Sequence, residues 1–235
     1  MHKPLTTLIS DCDGVLIDSE VIAFQVLIEQ ASSVFTNIDV GAQLSHRFGQ
    51  KTESLVQQLA NVSQQAIPEG FLKNLRNLTD AQIMQTAQPI QGVEILINQT
   101  RLKAVVSNSG TARVQAAATL VGVLKRDDVL ILSADEVRAP KPAPDLYLLA
   151  AQRLSVLAEQ CLVIEDSISG IVAAKAAGMR VIGFTGGAHI PVGHDLAMHA
   201  AGVCAVFGSM QELPQLLQEI AGWDSTPFKS TRQEH

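Results

Sequence analysis

Positive charge is sparse and scattered in this 235-residue chain: 17 Lys and Arg stand against 23 Asp and Glu, for a net charge of −6. A non-specific nucleic-acid binder needs a basic face, and no Lys/Arg run supplies one here, so that class is excluded. Cysteine is scarce as well. Cys12, Cys161 and Cys204 are isolated, odd in number and without CxxC spacing. They read as small buried apolar residues in a reducing compartment, not as a disulfide framework. No apolar run approaches the length that crosses a bilayer, and no basic segment with an apolar stretch behind it opens the chain. The expectation is a soluble cytoplasmic protein, monomeric or weakly homo-oligomeric, with no nucleic-acid or membrane partner. What the chain does have is apolar material: 47% of residues, against 17% charged, enough for one domain or two closely associated ones.

That material comes in short pieces that end in small or acidic residues. Leu5 to Ser10 leads into Asp11, Leu102 to Val106 into Ser107, and Val129 to Leu132 into Ser133. Cys161 to Ile164 leads into Glu165 and Asp166, Val181 to Phe184 into Thr185, and Val203 to Phe207 into Gly208. Such runs, rich in Val, Ile and Leu, fit strands buried on both faces. Helical patterns lie between them at Thr111 to Val121, Asp145 to Leu154, Ile168 to Ala177 (with Gly178 as its stop) and Met210 to Ile220. Alternating strands and helices predict an α/β fold, a Rossmann-like parallel sheet core with right-handed crossovers. From about Ser19 to Gln88 the pattern is helical and rich in Gln and Asn, without a clear strand. This predicts an inserted helical cap domain, 17–88, within a core made of 1–16 and 89–235. Pro89 and Gly92 mark the return. The polar tail after Asp224 is expected to fray, and Trp223 reads as a packing anchor.

In open parallel sheets, ligands bind beyond the carboxyl ends of the strands. Asp11, Asp13, Ser107, Glu165 and Asp166 all fall there, with Lys141 in a loop after another strand. Clustered carboxylates stay ionised only beside a cation. Mg²⁺ suits oxygen ligands and keeps waters while contacting one or two carboxylates. Asp11 and Asp166 supply those two, with Glu165 a further ligand or a contact to bound water. A carboxylate that attacks phosphorus leaves an alkoxide in need of a proton. Asp13, two residues on past a turn at Gly14, reaches that oxygen from the same side. Asp11 is then the nucleophile and Asp13 the acid, afterwards the base toward water. Ser107, Asn108 and the amides opening the next helix hold phosphate oxygens. Lys141, aimed by its flanking prolines, offsets the negative charge. Cys12, between the two aspartates, points the other way into packing.

These four segments, in this order, resemble the motifs of the haloacid dehalogenase-like hydrolase superfamily. Asp11-Cys12-Asp13-Gly14-Val15-Leu16-Ile17-Asp18-Ser19-Glu20 is similar to its first motif and Val106-Ser107-Asn108-Ser109 to its second. Lys141-Pro142-Ala143-Pro144-Asp145 is similar to the third and Ile164-Glu165-Asp166-Ser167 to the fourth. The resemblance implies a Rossmann-like core, a helical cap after the first strand, Mg²⁺ and an aspartyl-phosphate. It also implies Asp11 as nucleophile, Asp13 as acid/base, and metal ligation by Asp11, Asp166 and the Asp13 backbone carbonyl. Within the superfamily, Asp13 argues against dehalogenases, which lack a second aspartate, and against phosphonatases, which place a small residue there. The nearest subgroup is the β-phosphoglucomutase-like phosphatases. Its mutases carry a histidine on the first cap helix where this chain reads Glu20-Val21-Ile22-Ala23-Phe24. The pattern therefore resembles the sugar-phosphate phosphatases, including the 6-phosphogluconate phosphatase type.

The expected activity is Mg²⁺-dependent hydrolysis of a small phosphorylated metabolite, with a phosphosugar mutase or a non-catalytic phospholigand module as rivals. The cap loop His46-Arg47-Phe48-Gly49-Gln50-Lys51-Thr52 sets two cations around a glycine turn, which makes Arg47, Gln50 and Lys51 candidates for contacting the leaving group. His189, His194 and His199 are five residues apart. That spacing fits no common zinc pair, so they read as surface or mouth-lining histidines. Asp18 and Ser19 are expected to cap or hinge the first cap helix.

Overall fold

Runs of Val, Ile and Leu four or five residues long favour extended backbone, and here they form the strands. The computed structural model describes residues 4–45, 47 and 51–220. The chain order opens with β1 (Thr7–Ser10), β2 (Ile17–Asp18), α1 (Glu20–Val34), α2 (Val40–Leu44), α3 (Thr52–Ser63) and α4 (Phe71–Thr86). It continues with β3 (Gln88–Pro89), α5 (Val93–Ile97), β4 (Leu102–Val106), α6 (Thr111–Leu120), β5 (Leu130–Leu132) and α7 (Asp145–Leu154). It ends with β6 (Cys161–Glu165), α8 (Ile168–Ala176), β7 (Arg180–Phe184), α9 (His194–Ala201), β8 (Ala205–Phe207) and α10 (Leu213–Glu219). Gln50, Trp223 and the polar tail lie outside the described residues.

Six strands make one parallel sheet in the order β5-β4-β1-β6-β7-β8. Side chains alternate across it as the strand repeat requires. Leu8, Leu162, Ile164 and Val105 enter one apolar cluster, while Ile9, Val163, Ala104 and Val106 enter another on the opposite face. Helices cover both faces, which is why these runs are apolar throughout and not alternating. The chain builds outward from β1 to β4 and β5, then crosses back to place β6, β7 and β8 on the other side. The reversal sits at β1, so a crevice opens beyond the ends of β4, β1 and β6.

The segment between β2 and β3 is helical. Helices α1 to α4 bury a third cluster drawn wholly from 26–75, including Leu27, Phe35, Leu55, Leu59 and Leu75. Strands β2 and β3, two residues each, pair antiparallel with Ile17 opposite Pro89 and Asp18 opposite Gln88. This ribbon draws the ends of the helical segment together. Two residues are too few for an alternation to show, so patterning does not reveal it. Helix α8 stops where Gly178 is expected to end it: the Gly178 and Met179 amides donate to the Lys175 and Ala174 carbonyls. Helices α5 and α9 are additions to the expected set. No helix among the described residues is long and apolar enough to cross a membrane.

Candidate active site

Asp11 is fixed by the strand it follows: its amide donates to the Ile164 carbonyl at 2.9 Å, extending the β1–β6 ladder by one bond. Its side chain enters a cleft of about 740 Å³ lined also by Asp13, Ser107, Asn108, Lys141 and Asp166. Cys12 turns the other way and is buried in the apolar cluster. The site residues expected from the four segments therefore converge on one crevice, with Glu165 buried just behind it.

Lys141 organises the floor. Its ammonium donates to Asp11 Oδ1 at 2.5 Å, to Glu165 Oε1 at 2.7 Å and to the Val106 carbonyl at 2.9 Å. Burial works against that charge, and the Asp11 and Glu165 carboxylates outweigh it, holding Lys141 protonated far above neutral pH. The Asn108 side chain brackets the same loop, donating to the Lys141 carbonyl at 2.9 Å and accepting from its amide at 2.8 Å. Asn108 thus aims the lysine with both of its amide atoms.

Glu165 has no exposed surface and all its acceptor positions are occupied. Oε1 accepts from Lys141 and from the Tyr147 hydroxyl at 2.7 Å, and Oε2 accepts from the Ser167 amide and hydroxyl. A Cβ at Gly170 would fall 1.8 Å from Glu165 Oε1, so only glycine fits there.

Asp166 receives the His189 imidazole on Oδ2 at 2.8 Å, and its carbonyl receives His194 Nε2 at 2.9 Å. These two histidines line the cleft mouth, while His199 is exposed on α9. Gly14 lies beneath them with φ +78°, and a Cβ there would come within 1.9 Å of Asp166 Oδ2.

Asp13 accepts four hydrogen bonds. Ser19 Oγ (2.7 Å) and the Arg113 guanidinium meet Oδ1, and Ser107 Oγ (2.9 Å) and Ser109 Oγ (2.7 Å) meet Oδ2. Burial works to raise this carboxyl. Arg113 and the serine hydroxyls overcome that and hold it below the ordinary carboxylate range. Asp11 and Asp166 go the other way. Burial pushes both up, Lys141 opposes, and the neighbouring carboxylates add to the rise.

Oxygens of Asp11, Glu165 and Asp166 lie within 4.8 Å of one another. Three buried carboxylates against one ammonium leave an excess of negative charge that a divalent cation relieves.

Of the loop candidates, Lys51 lines the cleft. Arg47 points along its own segment, donating to the Gln43 carbonyl at 3.1 Å and to Gln58 Oε1 at 2.5 Å. Ser19 occupies the N-cap position of α1, yet its hydroxyl makes no cap bond and goes to Asp13 instead. Sequence reasoning missed Arg113 and Tyr147, and it gave no role to Ser109, which holds Asp13, or to Glu20, which lines the cleft. Arg113 had one signal: a cation in a first helical turn opposes the macrodipole and calls for an acidic partner.

The haloacid dehalogenase-like hydrolase family pattern matches residues 8–184. Fructose-1-phosphate phosphatase YqaB of Escherichia coli is 29% identical over 185 residues, 77% of this chain and 97% of that protein. The 6-phosphogluconate phosphatase of Escherichia coli is 24% identical over 223 residues, 92% of this chain and 96% of that protein. A HAD family hydrolase from Deinococcus radiodurans R1, solved with bound phosphate and sodium, aligns with a TM-score of 0.74 at 29% identity, over 92% of this chain and 96% of that one. With its strand-end carboxylates, its buried lysine and this match, the chain belongs to the haloacid dehalogenase-like hydrolases.

Proposed function

We propose that this hydrolase is a Mg²⁺-dependent phosphatase acting on small phosphomonoesters, sugar or sugar-acid phosphates, through an aspartyl-phosphate on Asp11. The observation that carries the reading is the pairing of two carboxylates with opposite environments in one cleft. Asp11 is held by Lys141, and Asp13, two residues on, sits in a nest of hydroxyls and a guanidinium. The names of the two Escherichia coli relatives, phosphatases of fructose 1-phosphate and 6-phosphogluconate, support the substrate class.

A free Asp11 oxygen attacks phosphorus while the P–O bond to the leaving group breaks. Asp13 gives its proton to the departing alkoxide. It acquires that proton because the phosphate, a like charge beside it, raises its proton affinity. Asp13, now a carboxylate, takes a proton from the water that cleaves the acyl phosphate and releases inorganic phosphate. When phosphate enters, the Ser107 hydroxyl turns from Asp13 to a phosphate oxygen, the amides opening α6 hold others, and Lys141 fixes the nucleophile. Residues 17–88 act as a cap that excludes water during these steps.

The donor set fits Mg²⁺: Asp11 and Asp166 offer hard oxygens, the family resemblance adds the Asp13 carbonyl, and Glu165, with both oxygens taken by protein donors, acts from behind them. Bound there, the ion neutralises charge on the phosphoryl group.

Magnesium should raise the melting temperature, with a stabilisation of about 2.7 kcal/mol at a hundredfold excess over its Kd. Asp166→Asn should remove that shift. The same variant should be more stable than wild type without metal at pH 7.5, by about 0.5–2 kcal/mol. Asp166 has a folded-state pKa above its unfolded one, so its contribution is favourable in acid and is lost as pH rises through the folded value. The gain should therefore shrink at pH 5. Equal magnesium shifts in both proteins would place the ion elsewhere.

Lys51 offers a cation to the leaving group at the cleft mouth. Lys51→Ala should raise KM for the best phosphosugar about 3–10-fold with kcat little changed, the mark of uniform binding. The primary test is a Mg²⁺-dependent phosphate-release screen over phosphorylated metabolites. An isomeric phosphosugar accumulating in place of phosphate would favour the mutase.

A further inference from the structure

The donors around Asp13 divide by origin. Oδ2 is held by Ser107 and Ser109, both from the loop between β4 and α6 in the core. Oδ1 is held by Ser19, which opens α1, and by Arg113, whose other guanidinium nitrogen reaches Asp80 Oδ1 at 3.2 Å on α4. Helix α4 packs on α6, the helix that carries Arg113. Arg113 is largely buried, with 12% of its side chain exposed. One carboxylate oxygen is therefore held by the core alone, and the other by Ser19 of the insert and by a core arginine that Asp80 of the insert grips.

We propose that Arg113 is a positioning residue which, held by Asp80, ties the place of the Asp13 carboxyl to the place of the helical insert. Asp80 touches no group in the cleft floor; it acts through the guanidinium. When α4 sits against α6, the Asp80 carboxylate and Arg113 together set the direction from which Asp13 reaches the leaving oxygen. When α4 moves, Arg113 loses Asp80 and the guanidinium on Oδ1 is no longer fixed from the insert side. The inference rests on Asp13 acting as the proton donor of the reaction proposed above.

A leaving group that needs no proton separates positioning of Asp13 from general damage. The quantity to measure is kcat/KM, which reports through the first irreversible step, transfer to Asp11. Fructose 1-phosphate departs as an alkoxide and 4-nitrophenyl phosphate as a stable phenolate. With the full chain and Mg²⁺, Asp80→Ala should lower kcat/KM for fructose 1-phosphate roughly 10-fold, and that for 4-nitrophenyl phosphate less than about 2-fold, within the range that general acid catalysis commands. Arg113→Ala should lower both, the alkyl ester at least about 10-fold more, and Arg113→Lys should recover part of the difference. Thermal melts accompany each variant, and Asp80, about one-third exposed, keeps the test open if Arg113→Ala fails to fold. Equal losses on both esters, or none from Asp80→Ala, overturn the coupling and leave the phosphatase reading standing. A wild-type enzyme that releases phosphate from neither ester overturns both.

Discussion

Asp11→Asn should reduce phosphate release by at least about 10⁴-fold, the scale on which loss of a nucleophile is felt. An amide has nearly the same shape and still offers an oxygen to the Lys141 ammonium, so the floor of the cleft keeps its packing. It has no anionic oxygen to attack phosphorus. Stability gives the control. The Asp11 carboxyl is pushed up by burial and by the neighbouring carboxylates, so removing its charge relieves repulsion. The variant should melt no lower than wild type at neutral pH. Intact-mass spectrometry after mixing with substrate and rapid acid quench should show an added phosphoryl group on wild type and none on Asp11→Asn. Turnover persisting in a variant confirmed as asparagine would sink the aspartyl-phosphate mechanism.

Much of the arrangement around Asp11 is legible in the sequence because it depends on short-range spacing. A run such as Leu102 to Val106 becomes a strand through its own composition, and the polar residue after it must then lie at the sheet edge. Asp11, Ser107 and Asp166 are placed by this rule, and the order of the sheet brings them together. The residues that escaped are those whose meaning comes from a distant partner. Arg113 meets a carboxylate 100 positions earlier, and Tyr147 meets Glu165 from the adjoining helix. Both look like ordinary helix residues until the helices are docked. The same holds for His189 and His194. Their spacing suggests no partner, and their contacts with Asp166 depend on how the β7–α9 connection folds back over the cleft. Ser19 shows the limit of local rules. Its position suits a helix cap, but its backbone is helical (φ −102°, ψ −25°) and not extended, and its hydroxyl donates to the Asp13 carboxylate.

Lys141→Met should be the most damaging change to the fold among the cleft residues. The side chain is 2% exposed and satisfies three acceptors at once. Methionine fills the volume but leaves Asp11 and Glu165 facing each other without a counter-charge, and the Val106 carbonyl without a donor. Breaking a buried ion pair from one side typically destabilises by about 3–5 kcal/mol. Activity should fall about 10²–10³-fold, the range for losing a preorganised electrostatic partner. The pH dependence carries the sign. Lys141 is what lowers the proton affinity of Asp11, so its removal lifts a folded-state pKa already above the unfolded one. Stability from such a group is present in acid and lost as pH rises through the folded value. The deficit relative to wild type, measured by urea denaturation without metal, should therefore widen from pH 5 to pH 8. Lys141→Arg should not rescue it, because the wider guanidinium fork does not fit three acceptors arranged for a compact ammonium. A deficit that is the same at both pH values would mean that packing, and not the charge on Lys141, carries its contribution to stability.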